Sequence, residues 1–304
     1  GIMITGSHNP PKYNGLKMML NNQTLYGDAI QELYSLAGTR GPKKAKGATS
    51  KRMVSNLYKE EIKEQLQLKK ELKVVVDCGN GVAGDYAPSL LKEIGADVVE
   101  LYCDVDGTFP NHHPDPAEPE NLQDLINRVK SEEADIGLAF DGDGDRLGVI
   151  SNTGQIIWPD KLMMLFSKHL LNANPGATII SDVKCSMDLA QVVQRHQGEY
   201  LMWRTGHSHI KSKMAETGAL LGGEFSGHIC FRDKWYGYDD ALYSAARLLE
   251  ILANSDKSAH DLFSEFPTRH CTPEIKIETT ESKKFEIINA LSKTIDIPNA
   301  TINS

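Results

Sequence analysis

The segment ADIGLAFDGDGDRLGVIS at residues 134–151 sets two apolar runs on either side of a short acidic turn. The apolar flanks, 134–139 and 147–150, are predicted to be the strands of a hairpin. The turn between them carries three aspartates separated by glycines: Asp141, Asp143 and Asp145. Two like charges about 4 Å apart repel by ~4 kcal/mol at an effective dielectric constant of about 20, so this cluster needs a cation. Oxygen-only ligands favour Mg²⁺ or Ca²⁺ over zinc.

Two other kinds of loop share features of this turn. An EF-hand loop begins with the same aspartate spacing, but it needs Gly at its sixth position and Glu at its twelfth. Those positions hold Arg146 and Asn152, which argues against a calcium hand. The other interpretation is a polar hairpin tip whose aspartates face water, although three aspartates and two glycines exceed what a turn requires.

The composition indicates a globular protein with more than one domain. The chain has 304 residues, of which 40% are hydrophobic, enough for two or three domains. It contains neither a run of about 18 apolar residues nor a signal segment, so we expect a soluble, cytoplasmic protein with no membrane partner. The net charge of -8 argues against nucleic acid as a partner.

Cysteine is scattered through the chain without a C-x-x-C pair. The five cysteines are Cys78, Cys103, Cys185, Cys230 and Cys271. This pattern is typical of reduced intracellular thiols, and the preferred interpretation is that they are ordinary small buried residues.

Alternation of strands and helices predicts an α/β fold. Two strand-helix-strand units are recognised, the first at 74–76, 88–94 and 96–101, and the second at 177–181, 188–195 and 199–203. Further predicted elements are an opening strand at 1–5 and helices at 28–37, 122–130 and 239–253. The long loop 104–121 suggests function or packing at a domain edge. The basic run 39–52 is interpreted as a solvated linker.

Three further motifs carry side chains suited to catalysis or ligand binding. Each motif is weak evidence of function when taken alone. TGSHNP at residues 5–10 places Ser7 on a turn beside His8, with Lys17 downstream. RTGHSHIK at 204–211 lies at a strand-to-helix junction, where free backbone N–H groups suit an anion. GGEFSGH at 222–228 brackets three hydrogen-bonding side chains with glycines.

Together, in this order, these motifs and DGDGDR closely resemble those of the α-D-phosphohexomutases, specifically the bacterial phosphomannomutase/phosphoglucomutase branch. The NHHPDP loop at 111–116 is also similar to that family. The resemblance runs from residue 1 to about 267. It implies a multi-domain chain of repeated mixed α/β domains.

The resemblance also implies roles for particular residues. Ser7 would be the phosphoserine, and Asp141, Asp143, Asp145 and a phosphoserine oxygen would hold one Mg²⁺ ion. His8, Lys17, Arg146 and His207 would surround the transferring phosphoryl group. Substrate-binding positions would be Lys184, Arg204, Glu224, Ser226 and His228.

The family comparison further implies a fragment. We expect a partial first domain at 1–52, a second at 53–151, a third at 152–266, and at 267–304 only the start of a fourth domain, which in the family grips the distal phosphate. The parent function would be interconversion of hexose 1-phosphate and 6-phosphate, on mannose and also glucose, with a hexose 1,6-bisphosphate as activator. We expect a monomer, and little turnover from this chain alone.

Two alternatives remain at the level of the sequence. Phosphoglucosamine mutases share the serine motif and the acidic turn, but their sugar loop usually has Gln where this chain has Phe225. The other alternative is a divalent-cation-binding module with no catalytic activity.

Overall fold

The computed structural model describes residues 1–9, 12–21, 23–39, 41, 46–268, 277–280 and 282–295. The chain divides into two compact units, Gly1–Glu265 and Phe266–Ser304. Within the described residues, no helix combines the length and the apolar character that crossing a bilayer would require.

The first part of the larger unit is a small antiparallel sheet with strand order β1-β2-β3 and one helix. Its elements are β1 (Ile2–Thr5), β2 (Gly15–Leu20), β3 (Gln23–Thr24) and α1 (Asp28–Thr39). The register pairs Thr5 with Gly15, so the turn between β1 and β2 begins directly after Thr5. The opening strand was predicted, whereas β2 was not. The predicted linker 39–52 is exposed where it is described, and residues 40 and 42–45 lie outside the described chain.

The second part is a five-stranded sheet in the order β5-β4-β6-β7-β8. Its elements are α2 (Ser55–Gln65), β4 (Lys73–Asp77), α3 (Ala87–Glu93), β5 (Asp97–Leu101), α4 (Gln123–Ser131), β6 (Ile136–Phe140), β7 (Leu147–Ser151) and β8 (Ile156–Ile157). Strands β4, β5 and β6 are parallel, while β7 runs antiparallel to β6. All residues of β6 and β7 are buried, because the hairpin lies inside the sheet.

The third part repeats the α/β pattern around a sheet in the order β10-β9-β11-β12. Its elements are α5 (Pro159–Ala173), β9 (Thr178–Asp182), α6 (Met187–Arg195), β10 (Glu199–Trp203), α7 (His207–Thr217), β11 (Leu221–Gly223), β12 (Ile229–Phe231), α8 (Ala241–Ala253) and α9 (Ala259–Ser264). Helix α8 buries nearly its whole length. The predicted mixed α/β class is confirmed.

The second compact unit contains one described helix, α10 (Lys284–Thr294). Residues 269–276, 281 and 296–304 lie outside the described chain. They include Cys271 and most of the predicted new segment at 274–277.

Candidate active site

The acidic loop, residues 141–145, closes the hairpin of β6 and β7. The last pair of the ladder is Phe140 with Leu147. A positive φ of 75° at Gly144 lets the chain reverse, because glycine adopts this conformation without a Cβ clash. The backbone N–H of Gly144 donates to the Asp141 carbonyl at 3.1 Å. The loop is therefore held on a buried frame.

Asp141 is fully buried and anchors this loop from within. Its Oδ1 accepts hydrogen bonds from the backbone N–H groups of Asp145 at 3.0 Å and Arg146 at 3.1 Å. Its Oδ2 accepts from Arg146 Nε at 2.9 Å. The guanidinium of Arg146 also reaches Asp115 Oδ1, at 3.1 Å, in the 104–121 loop. One buried arginine thus ties two segments to the acidic loop.

The three aspartates of the acidic loop could hold a metal ion. One carboxylate oxygen from each of Asp141, Asp143 and Asp145 lies within 4.8 Å of the others. Burial, and then the charge of Asp145, raise the pKa of Asp141 to about 7. Asp143 Oδ1 is buried with no hydrogen-bond partner among the described residues. Because an orphaned buried carboxylate oxygen is costly, these residues fit an oxygen-liganded divalent cation.

Ser7 lies on the turn that follows β1, close to the acidic loop. Its φ of 50° is left-handed, an uncommon conformation for a residue with a side chain. The Ser7 N–H donates to Thr5 Oγ1 at 2.7 Å, and Thr5 Oγ1 donates to Asp143 Oδ2 at 2.8 Å. Thr5, which was not among the predicted site residues, therefore links the serine turn to an acidic side chain.

His8 stands beside the serine hydroxyl. Its Nδ1 lies 3.1 Å from Ser7 Oγ, within hydrogen-bonding distance. Burial, and then the positive charge of Arg146, lower the pKa of His8. A neutral imidazole at this position can accept a proton from Ser7 Oγ.

Lys17, on β2, is drawn into the acidic loop. Its Nζ lies 2.8 Å from Asp143 Oδ2 and 2.5 Å from Asp145 Oδ2. Burial would lower the pKa of Lys17, but Asp145 and Asp143 outweigh that effect and the net change raises it. The ammonium group therefore stays charged and offsets part of the carboxylate repulsion.

His228 connects the acidic loop with the 222–228 loop. Its Nε2 lies 3.3 Å from Asp145 Oδ1, and its Nδ1 lies 3.1 Å from Glu224 Oε2 and 2.9 Å from Ser226 Oγ. Burial opposes protonation, but the two carboxylates outweigh it and raise the pKa of His228 to about 10. The second oxygen of Glu224 accepts from the backbone N–H of Gly206. Both oxygens of Glu224 thus have partners within the protein.

His207 occupies the first turn of α7, beside the same loops. Its Nδ1 lies 2.7 Å from Asp239 Oδ2, and Lys211 Nζ lies 2.6 Å from Asp239 Oδ1. The rings of His207 and His228 stack with centroids 5.1 Å apart. The structure thus brings the serine turn, the acidic loop, the 222–228 loop and the start of α7 together.

Lys184 and Arg204 lie at the ends of strands of the third sheet. Lys184 is exposed in the turn after β9, and Arg204 is exposed directly after β10.

Asp182 is a buried residue that motif reasoning did not single out. Its Oδ1 accepts from the backbone N–H of Phe225 at 3.1 Å, and its Oδ2 accepts from Thr205 Oγ1 at 3.1 Å. The carboxylate at the end of β9 therefore joins the 222–228 loop to the segment that begins α7. Its position at the carboxyl end of a predicted strand is the signal that could have identified it.

Comparisons with known proteins agree along most of the chain. Models of phosphoglucomutase/phosphomannomutase alpha/beta/alpha domains I, II and III match residues 1–41, 55–154 and 158–270. The chain is 52% identical over 304 residues to a phosphomannomutase/phosphoglucomutase of Pseudomonas putida, covering 100% of this chain and 66% of that protein. It is 50% identical over 304 residues to a phosphoglucomutase of Neisseria meningitidis serogroup A, covering 99% of this chain and 66% of that protein.

Solved structures show the same likeness. A phosphoglucomutase/phosphomannomutase family protein of Burkholderia thailandensis superposes with a TM-score of 0.93 at 49% identity, covering 99% of this chain and 64% of that chain. An N-acetylphosphoglucosamine mutase of Aspergillus fumigatus shares the fold, with a TM-score of 0.61 at 14% identity over 88% of this chain and 72% of that chain. The chain spans 66% of the length of the Pseudomonas putida protein.

Proposed function

The chain belongs to the phosphoglucomutase/phosphomannomutase family, and from that premise we propose that its site moves a phosphoryl group between Ser7 and a hexose phosphate. The overall reaction is the reversible interconversion of hexose 1-phosphate and 6-phosphate, on mannose and glucose, through a bisphosphorylated sugar. The observation that carries the proposal is the link from Ser7 N–H through Thr5 to Asp143, which joins a serine turn to a cation-binding loop.

The metal in this proposal is one Mg²⁺ ion. The residues that would hold it are Asp141, Asp143, Asp145 and Ser7, through its hydroxyl or its phosphate ester. The orphaned oxygen of Asp143 and the all-oxygen donor set support this assignment. When bound, the ion would neutralise charge on the phosphoryl group.

Ser7 and His8 carry out the step that loads the serine. Ser7 Oγ attacks the phosphorus of a hexose 1,6-bisphosphate, the bond from phosphorus to the sugar oxygen breaks, and the hexose monophosphate leaves after that oxygen takes a proton from water. His8 Nδ1, 3.1 Å from Ser7 Oγ, takes the hydroxyl proton. The left-handed turn at Ser7 holds the hydroxyl beside the imidazole.

The charged neighbours stabilise the transferring group, and the loops orient the sugar. Lys17 and Arg146 supply fixed positive charge beside the acidic loop. His207 and the protonated His228, whose rings stack on each other, add further donors beside the acidic loop. The sugar hydroxyls are assigned to Glu224, Ser226 and His228, and the exposed cations Lys184 and Arg204 are assigned as further substrate contacts.

Intact-mass measurement tests this proposal on the 304-residue chain itself. Incubation with glucose 1,6-bisphosphate and Mg²⁺ is expected to add about 80 Da, the mass of one phosphoryl group on serine. Ser7→Ala should abolish the addition, whereas Ser35→Ala, at an exposed helical serine, should leave it unchanged. A wild-type chain that stays unmodified would support the alternative of a cation-binding module.

The sugar specificity is tested separately. The relatives at about half identity are named for mannose and glucose phosphates, which favours those substrates over glucosamine phosphate. The phosphorylated chain is mixed with mannose 6-phosphate, glucose 6-phosphate or glucosamine 6-phosphate. Transfer of the phosphoryl group to each sugar is followed as loss of the added mass from the protein. If transfer to glucosamine 6-phosphate is the fastest of the three, the assignment of mannose and glucose phosphates as substrates is wrong.

A further inference from the structure

Two of the cysteines meet just after the carboxyl ends of β4 and β5. Cys78 directly follows β4 and Cys103 lies two residues after β5, and their sulfur atoms are 3.6 Å apart. The strands are neighbours in register, since Asp77 pairs with Leu101 and the Cys78 N–H donates to the Leu101 carbonyl at 3.2 Å. The phosphoryl-transfer proposal uses neither thiol.

The two thiols differ in environment. Cys78 is completely buried, whereas Cys103 is partly exposed. The hydrogen bond with Cys103, and then burial, raise the pKa of the Cys78 thiol. The same hydrogen bond lowers the pKa of the Cys103 thiol despite partial burial. A partly exposed cysteine whose sulfur lies 3.6 Å from that of a buried cysteine is the arrangement of an attacking and a resolving thiol.

We propose that Cys78 and Cys103 are a reversible dithiol–disulfide pair that hydrogen peroxide closes. The Cys103 thiolate attacks one peroxide oxygen, the O–O bond breaks, and hydroxide leaves, so that Cys103 becomes a sulfenic acid. The Cys78 sulfur then attacks the Cys103 sulfur, the S–O bond breaks, and water leaves with the thiol proton. The two thiols lose two electrons, and the peroxide is reduced to two waters. A thiol reductant reverses the reaction.

Formation of this disulfide would move chain segments that support the acidic loop. A disulfide has an S–S distance of about 2.05 Å, so the sulfur atoms must approach each other by roughly 1.5 Å. The carbonyl oxygen of Cys103 lies 2.0 Å from where a Cβ on Gly84 would stand, so the chain after β5 packs on the short 3-10 turn Val82–Asp85. The N–H of Val82, in that turn, donates to the Gly142 carbonyl at 3.1 Å. The disulfide therefore strains the support of the acidic loop.

Peptide mapping tests the bond directly. Trypsin places Cys78 in residues 74–92 and Cys103 in residues 93–128, so a disulfide joins two separate peptides. We expect this linked pair after treatment with peroxide, with a loss of two free thiols, and its disappearance after dithiothreitol. Cys78→Ser and Cys103→Ser should each abolish the link, while Cys185→Ser, which removes a buried thiol elsewhere, should not. Absence of the linked peptides from peroxide-treated wild type would overturn the proposal.

Binding of Mn²⁺ to the same samples tests the coupling. The oxidised chain should bind Mn²⁺ about tenfold more weakly than the reduced chain, the low end of the loss that accompanies disturbed support of metal ligands. Reduction should restore the affinity, and Cys103→Ser should show no peroxide effect. Equal affinity of linked and reduced chains would overturn the coupling. Failure of the reduced chain to bind Mn²⁺ would count against the metal assignment, while the peptide result still decides whether the pair forms.

Discussion

The carbonyl oxygen of Ser7 lies 2.1 Å from the position that a Cβ on Gly142 would occupy. The serine turn therefore rests directly on the backbone of the acidic loop, and only a residue without a side chain permits this approach. Two segments separated by more than a hundred residues in sequence meet here without an intervening side chain. This contact places a nucleophile beside a cluster of carboxylates.

Gly142→Ala should separate the serine turn from the acidic loop. The added methyl group cannot fit against the Ser7 carbonyl, so the turn must move, at a cost of about 1–3 kcal/mol in the free energy of unfolding. Phosphorylation by glucose 1,6-bisphosphate, followed by intact mass, should fall strongly. Gly107→Ala is the control, because nothing lies within 4 Å of its Cβ position. Normal phosphorylation of Gly142→Ala would contradict the argument.

Asp143→Asn should weaken binding of a divalent cation. Asp143 supplies the orphaned carboxylate oxygen, and the substitution removes a negative charge from the proposed ligand set. We expect Mn²⁺ affinity, measured by calorimetry, to fall by at least about tenfold, since losing even a supporting partner of a metal ligand costs about 10- to 100-fold. Asp97→Asn, at an exposed position on β5, should leave the affinity unchanged. Equal affinities of Asp143→Asn and wild type would refute the assignment.

Asp182→Ala should loosen two loops at once. It removes the acceptor of the Phe225 N–H and the Thr205 hydroxyl, and an orphaned buried polar group costs about 1–3 kcal/mol. Urea denaturation should therefore show that the free energy of unfolding falls by roughly 3 kcal/mol. Asp182→Asn keeps one carbonyl acceptor, so its free energy of unfolding should fall less than that of Asp182→Ala. If both variants unfold at the same urea concentration, the hydrogen bonds are not the cause.

His112 should make stability depend on pH. His112 Nε2 lies 3.0 Å from the buried Asp77 Oδ2. Burial would lower the pKa of His112, but the hydrogen bond and charge of Asp77 outweigh it and raise the pKa above its ordinary value. The contribution of the pair is therefore complete below the unfolded-state pKa of about 6.5 and is lost as the pH rises through the folded-state pKa.

Comparison of wild type with His112→Asn at two pH values measures this effect. At pH about 5.5 the free energy of unfolding of the variant should be lower than that of wild type by roughly 1.5–3 kcal/mol, which is the contribution of a hydrogen bond to a charged group. At pH about 9 the difference in the free energy of unfolding should be smaller. A difference that is constant or that grows with pH would show that the pair is not an ion pair in the folded protein.

Several elements were predictable because their signals are local. The strand Glu199–Trp203 was predicted with the observed bounds, and the hairpin around the acidic turn was predicted within two residues. Helices α2 and α5 were missed for opposite reasons. In α2 only Ile62 is buried, so its apolar pattern is faint, whereas α5 buries residues on most of its circumference, which hides the helical period.

The sequence by itself determined the α/β alternation, the acidic hairpin and the set of candidate side chains, because each depends on neighbours a few residues apart. Only the tertiary structure decided how they combine. In the folded chain the Ser7 turn packs on Gly142, and Glu224 bonds to His228 and Gly206. The sulfur atoms of Cys78 and Cys103 are in contact. Such contacts depend on strand order and on how the sheets and their loops pack, which no local pattern encodes.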